Sequence, residues 1–81
     1  MRTVCEAVKE RVLFLMKEYN INQHQLSLRS GVSHGTMSGI MLVKNKSVDL
    51  LTIIKIASGF GITASEFLDD NIFYEDNING A

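Results

Sequence analysis

The chain of 81 residues has no proline and a single cysteine. Without proline, nothing in it forces a helix to kink or stop. β-Branched residues never alternate with polar ones for long enough to read as a strand. A lone Cys5 excludes an internal disulfide and a cysteine-based zinc cluster, which fits a reducing cytoplasm. Long apolar runs are missing too. Val12 to Met16 is far too short to span a bilayer, and Met1-Arg2-Thr3 does not open a secretory signal. Charge of one sign is also lacking: eight basic residues face nine acidic ones, for a net charge of −1. What is present is an apolar fraction of 46% and a mean hydropathy of +0.10, enough for one core and against global disorder. A chain of this length makes one small domain.

Apolar spacing predicts five helices. The first runs from about Val4 to Tyr19, with Val8, Val12, Leu15 and Tyr19 on one buried stripe and Lys9, Glu10, Lys17 and Glu18 on the solvated side. Leu13 and Phe14 fall off that stripe and are expected to leave apolar surface. Asn20-Ile21-Asn22 breaks the helix, and Asn22 can cap a second one from Gln23 to Arg29 or Ser30. Ser33 caps a third that runs to about Met41. The fourth covers Leu50 to Ser58, with Leu50, Ile53, Ile54, Ala57 and Phe60 at helical spacing and Gly59 and Gly61 to terminate it. Thr63-Ala64-Ser65-Glu66 is a capping box opening a short fifth helix, which Phe67 and Leu68 pack onto the core. Residues 1–70 form the domain. Residues 71–81 read as a polar, acidic tail, partly ordered at most and frayed at Asn79-Gly80-Ala81.

The most informative stretch lies between Gln23 and Val43. Leu26, Val32, Met37 and Ile40 are apolar where two crossed helices must bury a side chain, and Ser27 is small where they approach. Gly31 sits in the turn, where a left-handed backbone suits glycine. This spacing is that of a helix-turn-helix, which delivers the start of its second helix, here His34, Gly35, Ser38 and Gly39, into a DNA major groove. Net charge does not support DNA binding, since phosphate neutralisation drives affinity. Its distribution offsets this in part: Arg29, Lys44 and Lys46 flank the third helix, whereas Glu66, Asp69, Asp70, Glu75 and Asp76 cluster toward the C-terminus.

The run from Ile21 to Ile40, followed by that from Leu51 to Leu68, resembles the Cro/C1-type (Xre-like) helix-turn-helix family of bacterial and phage transcriptional regulators. The most specific elements are Gln23 opening the second helix, Gly31-Val32-Ser33 in the turn, and the block of Lys55-Ile56-Ala57, Gly61-Ile62-Thr63 and Glu66-Phe67. They cover nearly the whole chain in the family's order. The resemblance implies an all-α, compact five-helix, lambda-repressor-like domain binding double-stranded operator DNA as a homodimer, without metal or cofactor. Carried over by position, Gln23 would bond a phosphate at a helix N-terminus. His34 and Gly35 would begin the recognition helix, about Ser33–Met41, with Ser38 and Gly39 facing the groove and Thr36 near the sugar-phosphate chain. Asn45 would contact base or backbone, with Lys44 and Lys46 beside it on phosphates.

Two residues depart from the pattern. Leu42 and Val43 stand where the family commonly has an asparagine that touches phosphate and then a glycine closing the recognition helix. A valine in that left-handed position is strained, so the helix is expected to continue or to end differently. An alternative reading is a protein-interaction module that keeps the fold without binding DNA, such as an anti-repressor or antitoxin subunit. Enzymatic function is not expected: His24 and His34 lie on different helices, with no paired carboxylate, nucleophile or phosphate loop.

Overall fold

Every helix starts where a side-chain oxygen can accept an amide left over in its first turn. In the computed structural model, which describes residues 1–79, the α-helices are α1 (Val4–Tyr19), α2 (Gln23–Ser30), α3 (His34–Met41), α4 (Leu50–Gly59) and α5 (Ala64–Leu68). Thr3, Asn22, Ser33, Asp49 and Thr63 cap them in that order. At α1, α2 and α5 the cap is reciprocal, with Glu6, Gln25 and Glu66 reaching back to the cap amide. No β-strand forms among the described residues, and the fold is all-α.

Four of the helices end on a residue with a left-handed backbone: Asn20 (φ 53°), Gly31 (φ 73°), Val43 (φ 52°) and Gly61 (φ 75°). Asparagine and glycine suit that conformation, but a β-branched valine does not. Contrary to the expectation of a displaced helix end, α3 closes in the ordinary way. The Val43 amide donates to the Ile40 carbonyl (3.0 Å) and the Lys44 amide to that of Gly39 (2.9 Å), the paired bonds of a Schellman motif. The reason is packing: the Val43 side chain is half-buried against the core, and that contact offsets the torsional cost.

The core is built from Val8, Val12 and Leu15 of α1, Leu26 of α2, Met37 and Ile40 of α3, Ile53, Ile56 and Ala57 of α4, together with Phe60 and with Phe67 of α5. Three sequence expectations shift. Tyr19 is half exposed, its ring 5.9 Å from that of Phe60 at the edge of the core. Leu50 and Ile54 face solvent and Ile56 takes the buried position, because the neighbouring helices cover only one side of an apolar α4. Gly59 does not end α4; Gly61 does, and Gly59 is the last helical residue.

The acidic end is tied to α1. Arg11 donates to the Phe67 carbonyl (2.7 Å) and the Glu66 carbonyl (3.0 Å), and reaches Asp70 at 3.4 Å. The segment read as a polar, acidic tail, partly ordered at most, forms two 3-10 turns, Asn71–Phe73 and Glu75–Asn77. Phe73 packs 6.0 Å from the Phe67 ring, and Arg2 pairs through its backbone with Asn77 and Asn79. Gly80 and Ala81 lie outside the described residues.

Candidate nucleic-acid interface

Two eight-residue helices, α2 and α3, are joined by the three residues Gly31, Val32 and Ser33. The Gly31 amide closes α2 on the Ser27 carbonyl (3.0 Å), and the buried Val32 amide donates to the Ser30 hydroxyl (3.1 Å). Ser33 then accepts from the Thr36 amide (3.1 Å) and donates through its own hydroxyl to that of Thr36 (3.0 Å). These bonds all close within a few residues, which sets the direction of α3 locally.

Rotation by about 100° per residue then divides α3 into faces. Met37 and Ile40 are buried. Gly35, Ser38, Gly39 and Leu42 project on the opposite side, and a methyl group added at Gly35 or Gly39 would meet nothing within 4 Å. The helix thus presents an outer face whose centre is bare backbone.

The two flanks of that face differ. On one, Gly35, Thr36 and Gly39 line a cleft of about 410 Å³ with Lys44 and Asn45 of the following loop and Asp49 and Thr52 from the first turn of α4. Asp49 accepts from the Thr52 amide at 2.8 Å. Bonds from the Thr52 hydroxyl and amide hold its carboxyl below the ordinary aspartate range, so the cleft carries a fixed negative charge beside Lys44. On the other flank, the exposed His34 ring stacks on His24 of α2, with centroids 5.2 Å apart and planes 9° from parallel.

The expected site residues therefore fall into groups. Gly35, Thr36, Gly39, Lys44 and Asn45 share the cleft. His34 lies on the far flank, and Ser38 sits on the outer face. Gln23 is half-buried at the start of α2, and Lys46 is exposed in the loop beyond the cleft. The Lys46 carbonyl accepts from the Cys5 amide at 3.0 Å, which pins this loop to the start of α1. Cys5 itself is buried, and burial pushes its thiol above the usual range, toward an inert, protonated form.

No protein-family model and no curated protein matches the chain.

Nothing in the sequence marked the contact of His24 with His34. Two histidines ten positions apart give no periodic signal, and their contact depends on how α2 and α3 cross. Gly59 was missed for a related reason. A Cβ there would stand 2.9 Å from the Ser30 Cβ and 3.1 Å from the Ser30 backbone nitrogen, so the glycine admits α2 against α4. Ser27, expected to be small where α2 approaches α3, is buried as well. Among the described residues, no three His, Cys, Asp or Glu side chains are grouped to hold a metal ion, and no helix is long and apolar enough to cross a membrane.

Proposed function

We propose that the chain is a sequence-specific, repressor-like DNA-binding transcriptional regulator of the helix-turn-helix type, with α3 lying in the major groove. The observation that carries this reading is the bare outer face of α3. A protein surface with backbone at its centre, at Gly35 and Gly39, admits a bulky partner to close approach. Around that centre stand groups suited to a duplex. Ser38 and His34 offer hydrogen bonds at base edges, Thr36 and Asn45 line the adjoining cleft, and Lys44 and Lys46 are exposed for phosphates. Gln23 stands at the start of α2, where first-turn amides favour an anion. The net charge of −1 leaves phosphate neutralisation to the exposed Arg29, Lys44 and Lys46. Resemblance to the Cro/C1-type family supports the same reading.

Fluorescence anisotropy with duplexes from the protein's own promoter region, over a range of salt concentrations, tests it. Tight binding should weaken linearly with log salt, and Lys44→Ala or Lys46→Ala should flatten the slope by about one unit per lost phosphate contact. His34→Ala should weaken a cognate site by about 1–3 kcal/mol and leave random DNA nearly unaffected. Leu42, 67% exposed at the end of α3 and unable to bond phosphate, favours a second reading as a protein-binding module. Absence of salt-dependent binding to any duplex would establish that reading over the first.

A further inference from the structure

Two arginines serve the end of the fold where the start of α1 meets the C-terminal turns, and both are engaged. Arg2 pairs with Glu10, and Arg11 holds Asp70 along with the Glu66 and Phe67 carbonyls. Glu75 and Asp76 are left over. Both are exposed, and neither carboxylate has a hydrogen-bond or ion-pair partner among the described residues. A counter-ion for them has to come from outside the chain.

The same two residues line a groove of about 780 Å³, and the rest of its wall is apolar. Val4 comes from the first turn of α1, Leu68 from the end of α5, and Phe73 and Ile78 from the folded-back segment. All four are half-buried, so each keeps apolar surface toward the groove. This groove and the cleft beside α3 share no lining residue. Its volume lies within the ~300–1,000 Å³ of small-molecule sites, which combine apolar walls with a few charged groups that fix orientation.

Charge and shape together define the occupant. An apolar body gains by leaving water for the groove wall. The paired carboxylates attract a positive head group on that body and repel a negative one. We infer that the groove binds a small amphipathic cation, an amine carried on an aromatic or branched aliphatic body. The body lies against Val4, Leu68, Phe73 and Ile78, and the ammonium group meets Glu75 and Asp76.

Three probes that share one body but differ in charge test this: phenethylamine, phenethyl alcohol and phenylpropanoate. Each is titrated into the isotopically labelled full chain at low salt and followed through the amide NMR shifts. The amine should saturate with a Kd of about 1 mM, the scale for a ligand of its size, and shift the amides of Val4, Leu68, Phe73 and Ile78. Each exposed ion pair strengthens binding by up to about fivefold, so the amine should bind about tenfold more tightly than the alcohol. The propanoate should be weakest. Glu75→Gln/Asp76→Asn, with unchanged thermal unfolding, should bring the amine to within about twofold of the alcohol and leave the alcohol itself unaffected. Equal binding of amine and alcohol by the wild type, or a preference kept by the folded double variant, overturns the site. Saturation that shifts amides elsewhere, or no saturable shift with any probe, overturns it too. The wild-type comparison needs no substitution, so it decides the matter even if the variant fails to fold.

Discussion

Replacing Gly59 by alanine puts a methyl group where α4 meets α2. The new Cβ would stand 2.9 Å from the Ser30 Cβ, 3.0 Å from the Leu26 Cδ1 and 3.1 Å from the Ser30 backbone nitrogen. Leucine can turn its terminal methyl aside, but a backbone nitrogen moves only with its helix, so α2 must retreat by a few tenths of an ångström. Overpacking of this kind costs about 1–3 kcal/mol. Alanine returns at most about 1 kcal/mol of helix preference over glycine, and less at the last helical residue. The clash wins, by about 1–2 kcal/mol, and the melting temperature falls by about 5–12 °C in a domain of this size. Gly39→Ala is the control. It makes the same chemical change within α3, with nothing inside 4 Å of the new methyl, so only the preference term acts and stability rises by up to about 1 kcal/mol. Far-UV circular dichroism during heating reads both. A Gly59→Ala variant as stable as the parent would refute the steric argument. Gly39→Ala also bears on function: if DNA closes onto the bare face of α3, the variant binds a cognate duplex more weakly although its fold is firmer.

Three further outcomes are expected. Ser33→Ala should cost about 1 kcal/mol in urea unfolding, since the Thr36 amide loses its acceptor; unchanged stability would show that the turn does not depend on this cap. At position 43 glycine should be more stable than alanine by about 1 kcal/mol, the reverse of their order within a helix, because both lose the valine methyls but only glycine relieves the left-handed backbone; thermal unfolding of the two variants decides it. Glu6 and Asp49, whose carboxyls are held low by hydrogen bonds to Thr3 and Thr52 respectively, stabilise the fold above the unfolded carboxylate range of about pH 4. That stability is lost as pH falls below this range through the lowered folded values. Chemical denaturation across acid pH should show the decline, and Glu6→Gln with Asp49→Asn should make it shallower.

Much of the fold was legible because its determinants act within a few residues. The caps at Asn22, Ser33 and Thr63 each satisfy an amide three residues ahead, so the residue type and the start of an apolar period mark the helix without knowledge of anything distant. Gly31 marks the turn for the same reason: its left-handed backbone is a local demand. The placement of α2, α3 and the loop bearing Lys44, Asn45 and Lys46 follows from these, and with it most of the candidate site. Wherever two elements compete for one surface, local rules fall silent. An α4 apolar on several sides could bury Leu50 and Ile54 or Ile53 and Ile56, and only the position of its neighbours chose the second pair. Gly59 resembled a terminator until Ser30 arrived against it. His24 resembled solvated surface until the crossing of α2 and α3 laid it on His34. Val43 accepts a backbone that its side chain disfavours, because its methyls are half-buried against a core assembled from residues far along the chain. Hydrogen-bonded caps and turns are short-range and directional, so the sequence by itself determined where helices begin and how they are joined. Close packing is long-range and collective, and only the tertiary structure decided which faces meet.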